Sequence, residues 1–150
     1  MPPAFVFQNV LDIRHTKVES IEIQLGKVEN KLKLLIEKRN ALMQQKIDQL
    51  NEMTAKMQGE IILQELALLQ VSIKRLDDQI KHVENEILET QKKMIQIRAS
   101  LVEAKQDEET LEILKDKEIE KYKAEIKRVE GIQQDDIYIS LAFQKNRQEA

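Results

Sequence analysis

The chain has 150 residues, of which 34% are charged, 41% hydrophobic and 3% aromatic, with three Gly, two Pro, no Trp and no Cys. So much charge with so few turn formers and aromatics excludes a sheet or a large globular core, and the lack of Cys excludes a disulfide-stapled secreted domain. A net charge of -3 with both signs interspersed leaves no footprint for nucleic acid or an anionic membrane surface. No apolar run reaches the roughly 18 residues that span a bilayer, and MPPAFVFQNV lacks the basic start of a signal peptide, so the expectation is a soluble rod or bundle of rods.

The first predicted element is a helix over about 5–57. From Val18, the residues Ile21, Leu25, Val28, Leu32 and Leu35 follow in steps of three and four, the knob spacing of a coiled coil. Arg39 and Lys46 then fall on seam positions, while Ile36, Met43, Ile47, Leu50 and Met57 form a displaced apolar line. That pattern is what a four-residue stutter produces, so the seam is expected to change phase there.

Gly59 is the single breaker candidate between the two apolar runs, and its tolerance of left-handed dihedrals suits a reversal of direction. A second helix, about 60–145, carries Leu66, Leu69, Ile73, Leu76, Ile80, Val83, Ile87, Thr90, Met94, Ile97, Leu101 and Ala104 in one unbroken register. In an antiparallel hairpin, facing knobs have residue numbers with a constant total. Val18 with Leu101, Leu25 with Met94 and Leu32 with Ile87 share one total, and Ile21 with Ile97, Leu35 with Val83 and Leu42 with Leu76 share another; both place the bend near 59. The rival arrangement is one very long helix that dimerises, tolerating Gly59 at a cost of about 1 kcal/mol. Lys33 is expected near Glu84 and Glu86, and Arg39 near Asp78. Gly26 and Gly131 read as small residues that permit close approach of another backbone.

The fold class is therefore all-α, a long antiparallel two-helix coiled-coil hairpin with a longer C-terminal helix, forming one unit over 1–150. The arms differ: about 80 Å against about 125 Å at helical rise. The first helix begins opposite 112–114, so the stretch beyond is expected to overhang. There the seam positions Glu108, Lys115 and Glu118 are charged, yet Ile119, Tyr122, Ile126, Val129, Ile137, Ile139, Leu141 and Phe143 remain apolar, which suits burial in another protein.

Catalytic and cofactor chemistry has no sequence support. The three glycines stand apart, so neither a G-x-x-x-x-G-K-[ST] loop nor G-x-G-x-x-G exists. His15 and His82 lie on different arms, out of register, and no metal cluster forms around them. Asp135 and Asp136 are neighbours on a helix and point apart, so they are no acid-base pair. The expectation is no enzyme, no cofactor and no metal.

Both ends carry a resemblance. The start F-x-F-x-x-V-L-D-I-R (Phe5, Phe7, Val10, Leu11, Asp12, Ile13, Arg14), followed by Glu19 and Glu22, resembles the opening of the FliJ family of flagellar type III export proteins. The close, with Leu111, Leu114, Lys115, Tyr122, Glu125, Arg128, then Gln134, Asp135, Asp136 and Ile137, and Phe143, is similar to that family's C-terminal helix. A departure is the short bend at Gly59, where relatives often carry a longer link. The resemblance implies a stalk like the gamma-subunit coiled coil of rotary ATPases, without chemistry of its own. Its terminal end would enter a hexameric export ATPase ring through Phe5, Phe7, Leu11, Arg14, Tyr122, Ile126, Val129, Ile137 and Phe143. Its other end would reach the membrane export gate and export chaperones, with Leu34, Ile61, Leu63 and Leu68 as the contact patch. The implied location is cytoplasmic, peripheral at the inner membrane through those partners. The alternative is a structural coiled-coil tether with no ATPase partner.

Overall fold

The computed structural model describes residues 3–149. It is the expected all-α hairpin with a longer second helix: α1 spans Gln8–Lys56 (49 residues) and α2 spans Leu63–Glu149 (87 residues), with no strand among the described residues. Contacts between the start of α1 and the later part of α2, as Gln8 with Lys115, and between Lys56 and Glu65 beside the turn, make the packing antiparallel.

Burial follows the heptad. Leu11, Val18, Val28 and Leu35 of α1 are buried against α2, as are Leu76, Ile80, Val83, Ile87, Ala104 and Leu111 of α2 against α1. Leu35, Val83 and Ile87 form one cluster with Leu32, Ile36 and Leu42 packed on it. The cross-helix contacts Gln8–Lys115, Lys46–Asp77 and Lys56–Glu65 set the register about half a heptad beyond the expected pairings, one of the other registers that a heptad repeat also satisfies. Burying a side chain of this size stabilises by roughly 1.5 to 3 kcal/mol. Thr90 occupies a seam position at little cost because its hydroxyl donates to the Glu86 carbonyl one turn back, at 2.7 Å.

The expected stutter does not occur. Beyond Leu35, and apart from Ile36, which packs on the cluster beside it, the half-buried positions of α1 are Arg39, Leu42, Lys46, Gln49, Met53 and Lys56, still in strict steps of three and four. Met43, Ile47, Leu50 and Met57 stand outside the seam, 37%, 50%, 39% and 53% exposed. The reason lies in the partner. The seam of α2 keeps one phase, and a phase change in one arm alone would slide its knobs out of the facing holes. Polar residues are held at the interface instead, and Arg39 Nε and Gln49 Oε1 are buried there with no hydrogen-bond partner among the described residues.

The expected charge contacts also change. Arg39 reaches its neighbour Asn40 at 3.5 Å and not Asp78; Glu86 is engaged by His82 at 2.8 Å. Lys46 with Asp77, Lys56 with Glu65 and Arg98 with Glu29 cross the helices. Each is at least partly exposed and contributes about 0 to 1 kcal/mol.

At the turn, Gln58 N–H donates to Ala55 and Gly59 takes φ +104°, a left-handed conformation that ends α1 and that side chains rarely adopt. Gly26 and Gly131 have open space where a Cβ would stand, so no backbone approaches them closely.

By contact density the chain divides into two compact units. One is Glu19–Glu103, containing the turn; the other joins Met1–Val18 to Ala104–Ala150.

Candidate partner-binding surfaces

In the unit that holds both termini, α1 is fixed to α2 by polar contacts around two buried leucines. Leu11 and Leu111 are 7% and 8% exposed. Arg14 Nη1 donates to the Asp107 carbonyl at 2.7 Å, His15 Nδ1 lies 2.6 Å from a Glu108 carboxylate oxygen, and Lys115 Nζ donates to Gln8 Oε1 at 2.8 Å. Leu11 and Arg14, expected to face a partner, therefore serve the hairpin's own packing.

The chain before α1 extends this packing further than the heptad implied. Residues 3–5 precede a turn at 6–7, the Gln8 N–H donates to the Phe5 carbonyl, and the Phe5 and Phe7 rings meet edge to face at 5.9 Å. Pro3, Phe5 and Gln8 face Lys115, Glu118, Ile119 and Tyr122 of α2 around a hollow of about 290 Å³. The expectation that α2 lacks a partner beyond 112–114 is corrected by the N-terminal segment: Ile119 and Tyr122 are half-buried beside it. Pro3 and the non-helical residues after it carry no periodic signal, which is why the sequence hid their contribution.

Past Tyr122 the apolar side chains are open. Ile126 is 38%, Val129 39%, Ile137 61% and Phe143 63% exposed. Ile132 and Ile139, exposed as well, continue the seven-residue spacing of Leu111 through Glu118 and Glu125, and Tyr122, Val129 and Phe143 continue that of Lys115. Ile132 was missed because the charged positions Glu118 and Glu125 interrupt its line. A shallow groove of about 190 Å³ lies over Tyr122, Glu125, Ile126, Val129 and Glu130. Arg128 Nε donates to Glu125 at 3.1 Å; this hydrogen bond and charge hold the Glu125 carboxyl below its usual range and raise Arg128 in return.

In the turn-containing unit, Ile61, Leu63 and Leu68 are exposed close to the reversal, and Ile62 and Met57 accompany them. Leu34 is exposed too, but about six helical turns before Lys56, so the expected patch of Leu34, Ile61, Leu63 and Leu68 is not continuous along α1. The line Ile36, Met43, Ile47, Leu50 and Met57, assigned to a displaced seam on sequence grounds, divides: Ile36 packs on the core cluster, and the other four form an exposed apolar line.

Among the described residues no cluster of His, Cys, Asp and Glu could hold a metal ion, and no helix is long and apolar enough to cross a membrane. The fold is an all-α hairpin with exposed apolar side chains in each of its two units. The family model of the flagellar FliJ protein matches residues 4–147, and the chain belongs to that family, a component of the flagellar export apparatus. Searches of curated proteins and of solved structures gave no match.

Proposed function

We propose that this FliJ-family chain is a non-enzymatic stalk that inserts its terminal unit into a hexameric export ATPase ring and presents its turn to the membrane export gate and to export chaperones. The observation that carries the reading is the run of exposed apolar residues on α2 beyond Tyr122, where α1 and the N-terminal segment no longer cover it. Ile126, Val129, Ile137 and Phe143, now joined by Ile132, are the contacts assigned to the ring, with Phe7, packed on Phe5 of the N-terminal segment, as a further contact. Leu11 and Arg14 hold α1 to α2 before that surface begins. The gate and chaperone contacts are assigned to Ile61, Leu63 and Leu68 with Met57, and Leu34 stands apart from them. In place of chemistry, such a stalk acts by differential affinity for the states of its ring, the only way a bound protein can bias an ATPase cycle.

The test is a pull-down from the native cytoplasm using the full chain and a form ending at Tyr122. The shortened form keeps every buried seam residue, so it should fold yet fail to capture a hexameric ATPase that the full chain retains. Equal capture by both would move the ring contact elsewhere and favour a simple tether.

A further inference from the structure

The open face of α2 is also complementary to itself, and we propose that it pairs with a second copy of this chain, antiparallel, about a twofold axis at Ile132. The face runs Glu118, Tyr122, Glu125 and Ile126, Val129, Ile132, Asp136, Ile139, Phe143 in steps of three and four. With the axis beside Ile132, that residue meets its own copy, Ile126 meets Ile139, Tyr122 meets Phe143, and Val129 meets Asp136. Charges agree with the same placement: Arg128 lies opposite Asp136, and Glu118 opposite Arg147. Symmetry makes each of these contacts twice.

The hollow beside Tyr122 gives the scheme an anchor. At about 290 Å³ it has room for an aromatic ring, and its walls Pro3, Phe5, Ile119 and Tyr122 are apolar or aromatic. The ring that arrives there is Phe143, 63% exposed, with the Arg147 guanidinium stacked 5.5 Å from its centroid. That guanidinium enters with the ring and finds Glu118 on the rim of the same hollow. Other placements lose this agreement. Moving the axis half a heptad onward sets Asp136 against its own copy, and moving it half a heptad back sets Tyr122 against Asp136 and Phe143 against Lys115. Parallel in-register pairing stacks Glu118, Glu125 and Asp136 on themselves.

The pairing is independent of the ATPase reading, and it covers the same face, so a paired chain is unavailable to a ring. The test uses the full chain alone. The sequence has no Cys, so Ile132→Cys introduces a single thiol at the axis and Met57→Cys a single thiol near the turn. Mild oxidation should convert the first to a disulfide-linked dimer and leave the second monomeric. In sedimentation equilibrium, Arg128→Asp should weaken association by at least about tenfold, and adding Asp136→Arg should restore most of it. Phe143→Ala should weaken association by roughly a hundredfold, since both copies lose their anchor. A chain that stays monomeric into the millimolar range, crosslinking at residue 57 and not at 132, or a double charge exchange no better than the single one, would overturn the proposal.

Discussion

Arg39 and Gln49 hold seam positions that a coiled coil normally gives to apolar groups, and each buries a polar atom that finds no partner among the described residues. Leaving such an atom unpaired costs about 1 to 3 kcal/mol. Gln49→Leu removes the orphaned oxygen and adds apolar area at a position already half-buried, so it should stabilise the hairpin by about 1 kcal/mol. Reversible denaturation in urea would read this as a higher midpoint with an unchanged slope. A lower midpoint would mean that Gln49 is satisfied by solvent and that the polar seam is not a weakness. The sequence showed that Arg39 and Lys46 break the apolar pattern, but the inference drawn from it was wrong. Periodicity in one arm suggested a phase change, whereas the partner arm's unbroken register, from Leu66 to Ala104, decides where α1 faces.

The elements themselves were the most legible part. Steps of three and four from Val18 to Leu35 and from Leu66 to Ala104 gave two helices, and Gly59, with φ +104°, lies in the segment between Lys56 and Leu63. Space is open around its Cβ position, so replacement there is opposed by backbone strain and not by a clash. Gly59→Ala should therefore destabilise the hairpin by about 1 to 2 kcal/mol without altering helix content, measurable as a lower thermal midpoint by circular dichroism. An unchanged midpoint would mean that the turn relaxes into a conformation with negative φ. What the heptad could not reveal at this scale was the reach of the N-terminal segment. Pro3 and Phe5 line a hollow with Ile119 and Tyr122 without any helical repeat, so the open face starts beyond Tyr122 and not at 112–114.

For the whole molecule, the two ends identified the family before the fold was known, because Phe5, Phe7 and the stretch from Tyr122 to Phe143 are less generic than a leucine seam. The exposed apolar faces were only half legible. The C-terminal face was anticipated apart from Ile132, while the line Met43, Ile47, Leu50 and Met57 was hidden by being read as seam. The central proposal is that the exposed face of α2 past Tyr122 is the ring-binding element, and it separates cleanly from the hairpin's own stability. Ile126→Ser with Val129→Ser alters two residues that are 38% and 39% exposed and lie beyond every buried seam residue. Each would lose roughly 1.5 to 3 kcal/mol of burial in a complex, so affinity for the export ATPase should fall by at least about a hundredfold. Measured at a concentration where the chain is monomeric, the thermal unfolding of this variant should match that of the parent. Normal ATPase binding by the variant, or loss of the fold in the free chain, would contradict the assignment.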